Sequence, residues 1–140
     1  MIVYADTSAL AKLLLDEDGS AEMQAVSTEA ERTASAAITY VELRAALAAA
    51  IRGGRVSSLT RDSLVRRLED LWDAVSPVVI DRELYRYAGD LAEQMHLRAC
   101  DAIHLTALQD AGEPGELVFA CWDSELRDAA RTLGYQLLPA

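Results

Sequence analysis

The feature that most constrains this chain is an alternation: short apolar segments separated by longer helical patterns. Ile2–Ala5 is the first such segment, a weaker one surrounds Thr33 and Ala34, and Val78–Ile80, Leu117–Ala120 and Tyr135–Leu138 follow. Each is too short for a helix and mostly apolar, as buried parallel strands are. Helical patterns fill the gaps at Ser8–Glu17, Ala21–Glu31, Thr39–Arg52, Thr60–Val75, Asp81–Met95, Asp101–Ala111 and Ser124–Leu133. Gly53-Gly54, Gly112 and Gly134 supply stop signals. Strands alternating with helices predict an α/β fold with a parallel sheet covered on both faces. No repeat, low-complexity tract or linker divides the chain, so residues 1–140 read as one domain.

Charge narrows the function. The chain carries 13 basic and 23 acidic residues, a formal charge of −10. That excludes a protein that coats nucleic acid by net charge alone. It leaves room for a nucleic-acid enzyme whose site is built from carboxylates. No basic segment precedes an apolar run at the start, and no apolar run approaches the ~20 residues that span a bilayer. A cytosolic location without membrane contact is therefore expected. Cys100 and Cys121 form no C-x-x-C pair and are expected to be buried thiols.

Four acids stand apart from the solvated majority. Asp6 and Asp123 each follow a strand and open a helix, where an N-cap is the simplest role. Asp101 opens a helix and shares a face with Leu105 and Leu108. Glu42 lies beside an apolar helical stripe, with Ile38 at i−4 and Ala46 at i+4. A carboxylate there needs a cation or hydrogen-bond donors, and an arginine is the simplest partner. In a parallel α/β sheet, functional groups gather outside the carboxyl ends of the strands. Several hard oxygen ligands converging there suit Mg²⁺ or Mn²⁺. Motifs for zinc proteases, phosphate-cradling loops and nucleophilic-serine hydrolases are missing.

These residues carry a resemblance. Asp6-Thr-Ser-Ala-Leu-Ala-Lys-Leu, Thr39-Tyr-Val-Glu42-Leu43, Leu97-Arg-Ala-Cys-Asp101-Ala-Ile-His-Leu and the segment from Asp123 to Gly134 resemble the four acidic motifs of the PIN-domain family. Within it, the chain most resembles VapC-type toxins of toxin–antitoxin pairs. Motif order and spacing are kept across essentially the whole chain. The resemblance implies a three-layer fold with a five-stranded parallel sheet and about seven helices. It implies a ribonuclease using one or two Mg²⁺ or Mn²⁺ ions held by Asp6, Glu42, Asp101 and Asp123, a homodimer, and a VapB-type antitoxin as partner. Asp6 and Asp101 would be the principal ligands, and Asp123 would complete the site or bind a second ion. Glu42 would act through water or help deprotonate it. Thr7 and Ser8 supply the hydroxyls of the first motif, with helix capping as the simpler role, above all for Thr7. The family often has Thr where Cys121 stands, which removes a hydroxyl from the site.

His104, three residues after Asp101, reads as a satisfied packing histidine, with a proton shuttle as the alternative. His96 reads as a helix-end cap. Trp72, Tyr85, Tyr87 and Trp122 read as core or interface. Six arginines and one acid lie between Arg44 and Arg67. Arg44, Arg52 and Arg55 in that strip are candidates to guide an RNA backbone, and a solvated helical hairpin is the alternative. Two competing functions remain at this level: a non-catalytic binding module on the same scaffold, or a Mg²⁺-dependent phosphoryl-transfer protein of another α/β family.

Overall fold

The structure, a computed structural model, describes residues 1–140. The elements run β1 (Ile2–Ala5), α1 (Thr7–Ala11), α2 (Ser20–Glu29), β2 (Arg32–Ala36), α3 (Thr39–Arg52), a 3-10 turn (Ser58–Thr60), α4 (Arg61–Ala74), β3 (Ser76–Val78), α5 (Arg82–Met95), α6 (Ala99–Ala111), β4 (Val118–Ala120), α7 (Ser124–Thr132) and β5 (Gln136–Leu138). The five strands form one sheet in the order β3-β2-β1-β4-β5, and every pairing is parallel. No helix is long and apolar enough to cross a membrane.

The alternation of side chains along β1 divides the core into two layers. Tyr4 joins Phe119, Leu105, Leu108 and Leu126 in one cluster, with α5, α6 and α7. Val3 and Ala5 join Leu10, Leu43, Leu47 and Leu68 in the other, with α1, α3 and α4. Val3, Tyr4 and Ala5 are fully buried, so the central strand needs the apolar run that the sequence places there.

Two elements differ from expectation. β3 is Ser76–Val78 rather than 78–80. Pro77 therefore lies inside a strand, which its missing N–H permits because β3 is an edge and pairs only with β2. The first helix stops at Ala11 instead of reaching Glu17. Side chains hold its exit: Arg67 of α4 donates to the Leu13 carbonyl at 3.0 Å, and Lys12, the C-cap residue, donates to the Asp18 carbonyl at 2.7 Å. Gly19 then turns the chain at φ +89°, where an added Cβ would lie 2.7 Å from the Trp122 indole nitrogen. Both the left-handed backbone and the close ring favour glycine.

The strand order reverses at β1: the chain moves outward through β2 and β3, then returns to the other side as β4 and β5. A crevice at the carboxyl ends of β1 and β4 follows from that switch. Ala5 pairs with Ala120, and the Asp6 amide donates to the Ala120 carbonyl at 3.2 Å. The ladder thus runs one residue past β1 and carries Asp6 onto the edge of the sheet.

Candidate active site

Asp6 is the deepest of the four acids, 4% exposed. It caps α1: its Oδ1 accepts from the Ala9 amide at 3.0 Å and from Ser8 Oγ at 2.7 Å. Ser8 Oγ in turn accepts from the Trp122 amide at 2.8 Å, tying the first motif to the fourth. Asp6 Oδ2 receives only the Cys121 thiol, at 3.2 Å. Burial holds the Asp6 carboxyl above its ordinary value, despite hydrogen bonds from Ser8, Ala9 and Cys121 that favour its ionised form. Burial and the Asp6 charge push the Cys121 thiol well up, so it stays a donor.

Glu42 sits in the first turn of α3, which starts just beyond β2 and so opens at the same sheet edge. The arginine partner expected for it is not there. His104 Nε2 lies 2.7 Å from Glu42 Oε1, and Thr7 Oγ1 donates to the same oxygen at 2.8 Å. Burial pushes the Glu42 carboxyl up, but the His104 and Thr7 contacts outweigh it and leave it below the ordinary value. Neither Thr7 nor Ser8 caps the helix. Asp6 already fills that position, which frees Thr7 to reach across to α3.

Asp101 and Asp123 form a second pair, joined by a shared arginine. Asp101 lies in the first turn of α6 rather than at its start. Asp123 caps α7, with Oδ1 accepting from the Leu126 amide at 3.0 Å. Arg98, just before α6, spans the two: its Nε donates to Asp101 Oδ2 at 3.0 Å and its Nη2 to Asp123 Oδ2 at 3.3 Å. Its side chain is 72% exposed, against 13% for Asp101 and 33% for Asp123. The neighbouring acids raise the Arg98 pKa. Sequence reasoning gave Arg98 no role, although its place three residues before Asp101 in a helical first turn was a usable signal.

As the side chains stand, no three of His, Cys, Asp or Glu close around one point. The donor set nonetheless fits a hard divalent cation. It offers carboxylate oxygens only, one of them on a buried acid that a cation would stabilise in its charged form. Arg98, the positive group now between Asp101 and Asp123, is exposed and free to swing away. Cys121 contributes a weak donor where a hydroxyl would be stronger.

The arginine strip lies elsewhere. Arg44 donates to Tyr40 Oη at 3.0 Å. Arg44, Arg52 and Arg61 rim a cavity of about 280 Å³ between α3 and α4, and Arg55 and Arg67 line its neighbour of about 560 Å³. Arg52 is ten residues along α3 from Glu42, roughly 15 Å at 1.5 Å per residue. Arg52 and Arg55 therefore approach the acids only by way of a long bound strand. Cys100 is exposed, not buried as expected, because it starts α6 on its solvent side. His96 ends α5 in a left-handed conformation at φ 55°, as the helix-end reading required. Trp72 packs on Tyr40, their ring centroids 5.8 Å apart.

The family model for the PIN domain matches residues 3–131. This chain belongs to the PIN-domain family. It is 38% identical over 139 residues to Ribonuclease VapC45 of Mycobacterium tuberculosis strain CDC 1551 / Oshkosh, covering 99% of this chain and 96% of the relative. The same identity and coverage hold for Ribonuclease VapC49 of Mycobacterium tuberculosis strain H37Rv. The five-stranded parallel sheet with seven helices is the PIN-like architecture that the motifs implied.

Proposed function

We propose that this chain is a divalent-metal-dependent endoribonuclease, the VapC-type toxin of a pair with a VapB-type antitoxin. The observation that supports the reading is that Asp6, Glu42, Asp101 and Asp123 each cap a helix or lie in its first turn, with Arg98 bridging Asp101 to Asp123. The full-length likeness to proteins named as ribonucleases supports it. Residues 1–140 act as one PIN domain, as a homodimer in the cytoplasm. The free thiols of Cys100 and Cys121 suit a reducing compartment.

When bound, Mg²⁺ or Mn²⁺ offsets the charge of the phosphodiester and acidifies the attacking water. The residues divide the remaining work. Asp6 anchors the ion, with Oδ1 fixed by Ser8 and Ala9 and Oδ2 turned away from those donors. Asp101 shares the load, and Asp123 closes the site from the start of α7. Glu42 orients the water through the carboxylate that Thr7 and His104 hold. Arg44, Arg52 and Arg55 steer the RNA backbone along α3, which explains a positive strip in an acidic protein.

The test is cleavage of a mixed RNA pool by the purified chain. Activity is expected with Mg²⁺ or Mn²⁺, none with excess EDTA, and recovery when the ion is restored. Cleavage that persists in EDTA would overturn the metal-dependent reading.

A further inference from the structure

A buried polar chain runs beneath the four acids. The Ala36 amide on β2 donates to Tyr4 Oη at 3.1 Å. Tyr4 Oη lies 3.2 Å from His104 Nδ1, and His104 Nε2 lies 2.7 Å from Glu42 Oε1. Tyr4 is fully buried and His104 is 3% exposed.

Donor counting fixes the tautomer. The Ala36 amide already occupies one lone pair of the Tyr4 oxygen, and the phenolic proton has one remaining neighbour, His104 Nδ1. A proton on Nδ1 would strand that phenolic hydrogen in a dry core, where an unmade hydrogen bond is costly. Nδ1 therefore accepts, the ring proton sits on Nε2, and Nε2 donates to Glu42. Thr7 Oγ1 gives Glu42 Oε1 a second donor. Glu42 Oε2 receives no protein donor and reaches the surface, since no buried side-chain oxygen lacks a partner.

We propose that His104 is a positioning residue: locked by Tyr4 in its Nε2–H tautomer, it holds Glu42 by Oε1 and leaves Oε2 as the oxygen offered to the reacting site. The proposal rests on the reading of the four acids as a metal-dependent centre. A histidine that only fills space would not need its two nitrogens committed at opposite ends, one to a tyrosine with no other outlet and one to a site carboxylate. The relay links β2, β1, α6 and α3, so the position of Glu42 depends on the sheet itself rather than on the flexibility of one side chain.

The experiment is calorimetric titration of Mn²⁺ into the full chain without RNA. His104→Leu is expected to weaken Mn²⁺ binding several-fold, less than the roughly tenfold for a partner of a direct ligand, because Glu42 acts on the ion through water. His104→Gln places an amide nitrogen where the ring Nε2 stands and is expected to recover most of that affinity. In a Glu42→Gln background, His104→Leu is expected to add nothing, because its effect passes through Glu42. Should His104→Leu fail to fold by circular dichroism, Tyr4→Phe makes the same test: it frees the tautomer without touching Glu42. It is expected to weaken Mn²⁺ binding in the wild-type background and not in Glu42→Gln.

Unchanged Mn²⁺ affinity, or an equal loss in both backgrounds, would overturn the relay. If Glu42→Gln weakens binding while His104→Leu and Tyr4→Phe do not, the relay fails and the parent reading stands. If Glu42→Gln binds Mn²⁺ and cleaves RNA like the wild type, both fall.

Discussion

The two halves of the site are built differently. Asp6 and Glu42 are held by donors from α1, Ser8 and Ala9 on Asp6 and Thr7 on Glu42, with His104 of α6 as a further partner of Glu42. Asp101 and Asp123 instead share one exposed guanidinium, Arg98, and Asp123 also caps α7. The first pair is held without an arginine or lysine, whereas the second is bridged by a charge that an ion can replace. The first pair costs stability: Asp6 is buried among groups that only partly repay the loss of water.

The largest expected difference between the halves is in how stability varies with pH. Burial raises the folded-state pKa of Asp6, so the folded chain binds a proton more readily than the unfolded one. The contribution of this group is greatest below the unfolded pKa and is lost as pH rises through the folded value. Asp6→Asn keeps the helix cap and removes that penalty. Without metal, it is expected to melt above the wild type at neutral pH, the gap closing in acid. Mg²⁺ should then raise the wild-type melting temperature and leave the variant's unchanged. Asp123→Asn, at an acid more exposed than Asp6, is expected to leave the metal-free melting temperature where it was. A gain at Asp123 and none at Asp6 would reverse the comparison.

Truncation separates cap from ligand. Asp123→Ala is expected to cost about 0.5–2 kcal/mol through the lost cap of α7, measured by urea denaturation, and to lose cleavage. Asp123→Asn should lose cleavage alone. Equal stability of the two variants would mean that the cap contributes nothing.

Smaller effects belong to the periphery. Arg98→Gln is expected to bind Mn²⁺ a few-fold more tightly, because a competing cation is gone and exposed ion pairs are individually weak. Weaker binding would show that Arg98 organises the acids rather than occupying their place. Charge reversal at Arg52 and Arg55 is expected to weaken RNA binding and flatten its salt dependence. A salt slope identical to the wild type would return these arginines to the solvated hairpin.

Sequence reasoning reached the acids and their partners unevenly. Strand–helix alternation anticipated five strands, with β3 displaced by two residues, and helix starts and an apolar helix face singled out Asp6, Asp101, Asp123 and Glu42, because those signals are local. The partner of Glu42 was not local. His104 is 62 positions away, and only the fold brings α6 against α3. A clue was available: a lone histidine on an apolar helix face and a lone carboxylate on another each need a partner, and each is the other's answer. The early end of α1 was hidden for a similar reason, since the donors to its exit carbonyls include Arg67 on α4. Pro77 misled because its cost in a strand depends on whether that strand lies at an edge, which is a property of the whole sheet.

The central claim is that Asp6 anchors a metal-dependent ribonuclease centre. Its most direct test is RNA cleavage by purified wild type and Asp6→Asn, each with Mn²⁺ or EDTA, with folding confirmed by circular dichroism. The account predicts cleavage only by the wild type with the ion present, and a well-folded, inactive variant. Cleavage by Asp6→Asn at the wild-type rate would contradict it.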